Sequence, residues 1–223
     1  MPRSAIFSVL VLAFTFSTTA RATTIEAATP VEFAVDIALQ DVLNPGSIVG
    51  FTGLDFNGIL PTGTPFEAFN PLVVDGVSFS TPTPGAFVNV TTADFYAPND
   101  YAGDFIVDSA NASPTQTLVI SFPLTYAVSL VFGGLFTGGA NMIALSNGFV
   151  VNQASSPTVG NTEFRGFVSS DPFSSLTLTL SNDSWVVEDF TVTSPAPEPA
   201  TLTLTALGLA GVVCRSRRRR ATR

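Results

Sequence analysis

The central part of the chain, from Thr23 to Pro195, is built from residues that favour strands and holds few that build exposed helices. It is rich in valine, isoleucine, phenylalanine and threonine, it lacks lysine, and Arg165 is its single base. β-Branched and aromatic side chains fit a pleated, half-buried surface, whereas glutamate, lysine and arginine are common on exposed helix faces. This composition predicts an all-β body.

Strand-like segments recur along this body, separated by clusters of glycine and proline. Leucine and threonine alternate from Leu176 to Leu180, which places the leucines on one face. The predicted strands are Val31–Leu39, Leu72–Ser80, Phe87–Thr92, Thr117–Phe122, Ala127–Phe132, Ile143–Val151, Glu163–Val168, Ser175–Ser181 and Trp185–Thr193. Many short strands with such turns are typical of an antiparallel β-sandwich, here expected to be jelly-roll-like. No segment of the body shows a clear helical period, so no helix is predicted within it.

Three positions are expected to interrupt these strands. Gly133 and Gly134 together are a turn signal. The loose alternation around Gly166 indicates an edge strand or a bulge. Glu188 falls on an otherwise apolar face of the last strand, so that strand is expected to emerge into solvent there or to twist.

The N-terminus carries the pattern of a secretory signal. Arg3 provides a positive charge, Ile6–Phe16 is an apolar run, and Ala20 and Ala22 supply the small-x-small site that signal peptidase accepts. We expect export, with cleavage after Ala22 by signal peptidase. The alternative is a buried strand or helix that begins the fold.

The C-terminus carries a second address. Pro195–Pro199 is a proline-rich spacer, and Ala200–Cys214 then runs without a charge. As a helix this run would span about 22 Å, short of the roughly 30 Å hydrocarbon core of a bilayer. It therefore suits transient membrane insertion as a stop-transfer segment, with the following arginines on the cytoplasmic side. Those arginines are Arg215, Arg217, Arg218, Arg219 and Arg220.

The chain is thus expected to comprise three units. Residues 1–22 are the predicted signal peptide, residues 23–194 the β-sandwich, and residues 195–223 the C-terminal sorting region.

The order of Pro197-Glu198-Pro199, a short apolar helix and terminal arginines resembles the PEP-CTERM sorting signal of exported bacterial proteins. The resemblance implies a transmembrane exosortase that cleaves near this tripeptide, in a Gram-negative-type bacterium that makes exopolysaccharide. The expected location is the cell envelope, the outer surface or the extracellular matrix. The alternative is an ordinary tail-anchored protein. Cys214 is either a lipidation site or a small apolar residue at the membrane interface.

The distal part of the body, Phe164–Leu176 with Trp185–Phe190, is similar to the closing strands of many PEP-CTERM proteins. That resemblance implies a jelly-roll-like domain of carbohydrate-binding type, and it brings no enzyme activity with it.

An acidic stretch is the first candidate site. Asp94, Asp100 and Asp104 alternate there with Tyr96 and Tyr101. Closely spaced carboxylate oxygens suit calcium, which takes 6–8 oxygen ligands, and tyrosine rings can stack on sugar rings. The alternative is a solvated acidic loop whose aspartate and asparagine residues make turns.

A second candidate calcium site lies near the last strand, where Asp183 and Asp189 flank Trp185. The alternative is again a pair of solvated acids. Trp185 is expected either to lie in the core or to serve as a platform for a sugar ring. Arg165 is expected to pair with a neighbouring acid, or else to contact an anionic ligand.

Charge and composition exclude several functions. The body has 16 acidic residues against Arg165, so it repels nucleic acid. Because histidine and lysine are absent, Ser-His-Asp and Cys-His catalysis, Schiff-base chemistry and the P-loop lysine are excluded. We expect a non-catalytic surface or matrix protein with a structural or adhesive role linked to exopolysaccharide and no cofactor. The alternative is a carbohydrate-binding module that uses calcium.

Overall fold

Two long, kinked strands organise the structure, which is a computed structural model. β8 (Thr115–Gly134) and β11 (Glu163–Ser181) pair antiparallel along nearly their whole length. Their register shifts between Val168 and Phe173 and again between Phe173 and Ser175, so both strands bend in the middle. Each strand therefore contributes one half to each of two layers.

The structure describes residues 23–44, 48–54, 56–61, 64–92, 104–108, 115–134, 140–153, 161–182 and 184–195. The other elements are β1 (Thr24–Ala27), α1 (Pro30–Leu43), β2 (Ile48–Leu54), β3 (Phe66–Phe69), β4 (Leu72–Val74), β5 (Val77–Ser80), β6 (Val88–Thr91), β7 (Phe105–Asp108), β9 (Asn141–Leu145), β10 (Val150–Gln153) and β12 (Trp185–Pro195). Within these residues, no helix has the length and apolar character that crossing a bilayer requires.

The twelve strands form one hydrogen-bonded antiparallel sheet that folds over on itself at the kinks of β8 and β11. The first layer runs from β1 through the first half of β11, the second half of β8 and β12 to β2 and β7, and then to β6 and β3. The second layer has the order β10, β9, second half of β11, first half of β8, β5 and β4. The predicted β-sandwich is confirmed.

The core lies between the inner faces of the two layers. Leu176, Leu178 and Leu180 are fully buried there, as their alternation with threonine predicts. Phenylalanine rings join the layers: the centroid of Phe79 in β5 lies 5.8 Å from that of Phe190 in β12, in an edge-to-face contact. The chain has 20 phenylalanines, and such ring pairs add to the area that they bury.

A buried hydroxyl pair ties β12 to the kink of β8. The Oγ1 atoms of Thr125 and Thr193 lie 2.6 Å apart, and Thr193 Oγ1 donates to the carbonyl of Ala127 at 2.9 Å. The amide of Ala127 in turn donates to Thr193 Oγ1 at 3.2 Å. These hydrogen bonds satisfy backbone groups that the bend removes from the regular ladder.

The predicted strand Val31–Leu39 is wrong, because this segment lies within helix α1. Thr29 caps the helix: its Oγ1 accepts from the amide of Glu32 at 3.2 Å, and a proline follows at the first helical position. The helix buries Phe33, Ile37 and Gln40, which are spaced i, i+4 and i+7. In the sequence, this short apolar spacing and the Thr-x-x-Glu capping box from Thr29 to Glu32 are the two signals that indicate a helix.

Other predicted strands have different boundaries. Leu72–Ser80 is a hairpin, not one strand, because Asp75 and Gly76 both adopt positive φ, +48° and +80°, and reverse the chain. Ile143–Val151 is likewise divided between β9 and β10. Other predicted strands merge into longer ones. Thr117–Phe122 and Ala127–Phe132 are both parts of β8, and Glu163–Val168 and Ser175–Ser181 are both parts of β11. The short strands β1, β2, β3 and β7 were not predicted.

The three predicted interruptions have different outcomes. Gly133 and Gly134 form no turn; they pair regularly with β12 at the end of β8. Gly166 lies in regular register with Ser129, without a bulge. The irregularity predicted at Glu188 is present, as a register shift between Val187 and Asp189 in the pairing of β12 with β8.

Candidate functional site

Most of the first predicted site lies outside the described residues. Asp94, Tyr96, Asp100 and Tyr101 belong to residues 93–103, of which the structure describes none. Asp104 is described and lies just before β7, and its backbone amide donates to Asn57 Oδ1 at 3.0 Å. A calcium or sugar site in this stretch therefore stays a prediction.

Trp185 offers no platform for a sugar ring. It is fully buried in the main core, at the start of β12 and opposite Gly134 of β8. The expectation of a ligand-binding tryptophan is corrected, and the core alternative is confirmed. Side chains alternate between the two faces of a strand, and the bulge at Glu188 shifts this alternation by one residue. Trp185 and Val187 therefore face the same core as Phe190.

Asp189 is the one described member of the second predicted site, since Asp183 lies outside the described residues. The side chain of Asp189 is exposed. The neighbouring Glu188 is half-buried, and its Oε2 accepts from Thr162 Oγ1 at 3.0 Å. In the described part of the chain, no three acidic or cysteine side chains cluster closely enough to hold a metal ion.

Arg165 pairs with two acids, as one of the two predictions for it states. Its Nη1 donates to Glu26 Oε1 at 2.9 Å, and its Nε donates to Glu163 Oε1 at 3.1 Å. The body's single base therefore joins β1 to β11 and is engaged within the fold.

The outer face of the second layer is a continuous uncharged surface, which we call the hydroxyl face. Its centre is a ladder of cross-strand pairs between β8 and β11: Thr117 faces Thr179, and Ser121 faces Ser175. The strand positions that form it are Val73, Ser78, Ser80, Thr117, Val119, Ser121, Met142, Ala144, Val150, Asn152, Ser175, Thr177, Thr179 and Ser181. None of these strand positions carries a charge or an aromatic ring.

A shallow depression of about 280 Å³ marks one edge of the hydroxyl face, where Met142, Asn152 and Thr179 converge. The hydroxyl and amide groups there can donate and accept hydrogen bonds. Since no ring is present to stack on a sugar, contact with a polysaccharide would depend on many weak hydrogen bonds. Sequence alternation identified the threonines of β11, but only the pairing of six strands places them on one surface.

A second surface lies on the first layer, where α1 packs beside β1. We call it the α1 groove. It consists of the exposed apolar side chains of the helix, which are Val31, Val35, Leu39, Val42 and Leu43, and of two depressions of about 330 and 220 Å³ along the side where α1 meets β1. Glu26, Glu32 and Asp36 line the larger depression, so one end of the groove is acidic.

The last strand ends where the C-terminal sorting region begins. β12 runs from Trp185 to Pro195, and its final pair joins Pro195 to Ile48 of β2. All described strands therefore lie before the tripeptide Pro197-Glu198-Pro199.

This boundary coincides with a match to a known family. Residues 195–219 match the PEP-CTERM protein-sorting motif. The match includes the tripeptide, the apolar run and Arg215, Arg217, Arg218 and Arg219, whereas Arg220 follows its end. No curated protein matches the chain.

Part of the chain is similar to several solved structures, all at low sequence identity. A CBM22-1 xylan-binding domain of Paenibacillus barcinonensis Xyn10C matches at 15% identity and a TM-score of 0.36, over 65% of this chain and 93% of that domain. A family 29 carbohydrate-binding module, CBM29-2, matches at 12% identity and a TM-score of 0.27, over 65% and 91%. An exo-beta-agarase matches at 11% identity and a TM-score of 0.31, over 65% of this chain and 25% of the enzyme.

The sorting motif indicates an exported protein that is associated with the cell envelope and processed by an exosortase. The residues that the motif covers after Pro195 lie outside the described residues, as do Ala20 and Ala22 of the predicted signal peptidase site.

Proposed function

We propose that this chain is a non-catalytic exported protein whose β-sandwich is released or displayed after an exosortase cleaves near Pro197-Glu198-Pro199. The observation that carries the proposal is the position of the last strand. Because β12 ends at Pro195, cleavage at the tripeptide removes none of the described strands and leaves the described core intact. The mature sandwich then has a structural or adhesive role in the envelope or in an exopolysaccharide matrix.

The proposed route has two further steps. Signal peptidase removes residues 1–22, and the uncharged run Ala200–Cys214 inserts transiently in the membrane of a Gram-negative-type cell. The arginines that follow hold it there on the cytoplasmic side until cleavage. Residues 23–194 are then the functional domain, and residues 195–223 form the sorting region.

Intact mass spectrometry of the protein from the envelope and medium of its native host tests this proposal. We expect a mass that lacks residues 1–22 and everything beyond the tripeptide. A matched variant, Pro197→Ala/Glu198→Ala/Pro199→Ala, should retain the C-terminal segment and remain in the membrane fraction. A wild-type mass that still includes Ala200–Arg223 would overturn exosortase processing in favour of a tail-anchored protein.

A second candidate function is polysaccharide binding through the hydroxyl face. The body has 16 acidic residues and would repel an acidic polysaccharide over most of its surface, whereas the hydroxyl face carries no charge in its strands. Affinity electrophoresis in gels that contain neutral or acidic polysaccharide would measure the retardation. Thr179→Asp should abolish it, and Ala68→Asp on the other layer should not. Equal retardation of both variants would refute this site.

The predicted calcium sites offer a second, separate mode of polysaccharide binding. Asp94, Asp100 and Asp104, with Tyr96 and Tyr101, would bind calcium and contact the sugar, and Asp183 with Asp189 would form the second site. We expect millimolar calcium to increase the retardation, and chelation to reverse it. Identical migration in calcium and in chelator would contradict a calcium requirement.

A further inference from the structure

Helix α1 has an apolar stripe on the side that faces away from the sheet. Its inner side buries Phe33 and Ile37, as any helix on a sheet must. On the opposite side, Val31 and Val42 are each 74% exposed and Val35 is 62% exposed. Leu39 and Leu43 extend the same stripe and are also exposed. A surface helix ordinarily places polar side chains toward water, so this stripe indicates a binding surface.

The charges around the stripe have one sign. Helix α1 contains Glu32, Asp36 and Asp41 and no base. Glu26 of β1 joins Glu32 and Asp36 along the larger depression of the α1 groove. A partner that fits this surface is therefore apolar along one side and basic at one end. A second copy of the body fits poorly, because it would bring the same acids to the contact.

The chain itself contains a segment with these properties. Ala200–Cys214 is uncharged and is followed by the arginine cluster that begins at Arg215. As a helix it would be about 22 Å long, against about 21 Å for the 14 residues of α1. Arg165, the body's single base, pairs with Glu26 and Glu163, which leaves Glu32 and Asp36 as the groove acids that no base of the body neutralises.

The point where the chain leaves the sandwich is also suitable. Pro195 pairs with Ile48, only four residues after Asn44 at the end of α1. Pro195–Pro199 as an extended spacer spans about 15 Å. It can therefore bring Ala200 to the end of α1 near Val42, from where a helix running back along the groove ends near Val31.

We propose that in the uncleaved chain, away from a bilayer, Ala200–Cys214 folds back antiparallel on the apolar stripe of α1. Arg215–Arg220 then lie against the acidic end of the groove, at Glu32 and Asp36. The segment has two alternative environments, the α1 groove and the membrane, and a bilayer draws it from the first to the second. The further consequence, that cleavage uncovers the stripe in the mature protein, rests on the proposed exosortase processing.

Cys214 allows a direct test, because it is the only cysteine in the chain. In an antiparallel arrangement Cys214 lies near Val31. Val42 is about 16 Å from Val31 along the axis of α1 and is therefore far from Cys214. A disulfide requires Cα atoms within about 7 Å. The test is therefore the rate of oxidation in two variants of the unprocessed full chain, Val31→Cys and Val42→Cys, in detergent-free buffer. Both positions are 74% exposed, so neither change disturbs the core.

We expect an intramolecular disulfide to form at least tenfold faster in Val31→Cys than in Val42→Cys. Phosphatidylcholine vesicles should slow the Val31→Cys reaction at least tenfold by taking up the segment. Equal rates, a faster Val42→Cys reaction or mainly intermolecular disulfides would overturn the proposal, the last in favour of contact between copies. No exosortase is present in this experiment, so its failure would leave the sorting proposal standing.

Discussion

The packing of α1 on the sheet depends on a glycine, and this contact yields a quantitative prediction. Gly166 lies in β11 directly beneath Phe33, and a Cβ atom added there would lie 2.8 Å from Cγ of that ring and 3.1 Å from its Cβ. Separations under about 3.4 Å are strongly repulsive between carbon atoms. Gly166→Ala must therefore move Phe33, and with it the first turns of the helix.

The expected magnitude follows from two opposing terms. Overpacking a well-packed site costs about 1–3 kcal/mol, and replacing a strand glycine by alanine returns about 0.5–1 kcal/mol of backbone entropy. Gly166→Ala should lower the free energy of unfolding by about 1–2 kcal/mol, which lowers Tm by about 2–8 °C for a body of this size. In a Phe33→Ala background the clash is largely removed, so the same change should be neutral or stabilising.

Urea unfolding of the four proteins in this double-mutant cycle measures the coupling, which we expect to be about 1–3 kcal/mol. Gly53→Ala is the matched control, because its added Cβ would meet only Thr191 Oγ1 at 3.8 Å, an ordinary contact. It should be neutral or stabilising. If Gly166→Ala destabilised the protein equally with and without Phe33, the close approach of helix and strand would not be its cause.

Three further predictions concern buried polar groups and the single tryptophan. Arg165→Met leaves Glu26 and Glu163 near each other without their shared cation, and should lower the free energy of unfolding by about 1–3 kcal/mol in urea titrations; a neutral effect would contradict a structural role for this ion pair. Thr193→Val removes the nearer of the two hydroxyl groups that contact the backbone of Ala127 and leaves only the longer contacts of Thr125, so it should cost about 1–3 kcal/mol by the same assay, whereas Thr179→Val on the hydroxyl face should change the free energy of unfolding by less than about 0.5 kcal/mol. The fluorescence of Trp185 should resist acrylamide quenching and should not respond to polysaccharide, because the ring is fully buried; strong quenching in the folded protein would contradict its place in the core.

The sequence was most informative where one rule acts alone. Leucine at every second position from Leu176 to Leu180 predicts a half-buried strand, and these leucines are fully buried. The proline-rich spacer after the last strand predicts the end of the body, and β12 ends at Pro195. Each of these features depends on local backbone chemistry, so no distant residue is needed to interpret it.

Prediction failed where local preference was outweighed by partners far along the chain. Val31–Leu39 has β-branched residues that favour a strand, but the cap at Thr29 and the contact of Phe33 with Gly166 favour a helix. The kinks that turn four predicted strands into β8 and β11 are held by the Thr125–Thr193 pair, 68 residues apart.

The candidate sites show the same division. The position of Arg165 between acids was predictable, because a half-buried base in so acidic a body needs a partner. The burial of Trp185 was one of two open alternatives, and the bulge at Glu188 decides between them. The hydroxyl face and the α1 groove were not predicted, since each joins residues of several elements.

The sequence by itself determined that this protein has a β-rich, acidic body followed by a sorting motif, because composition, charge and the order of proline, apolar and arginine residues are properties of the chain alone. Only the tertiary structure decided which side chains face a partner. Strand pairing assembled the hydroxyl face, and the docking of α1 on β11 left its valines in water. Both results depend on contacts between residues far apart in the chain, and local patterns carry no information about such contacts.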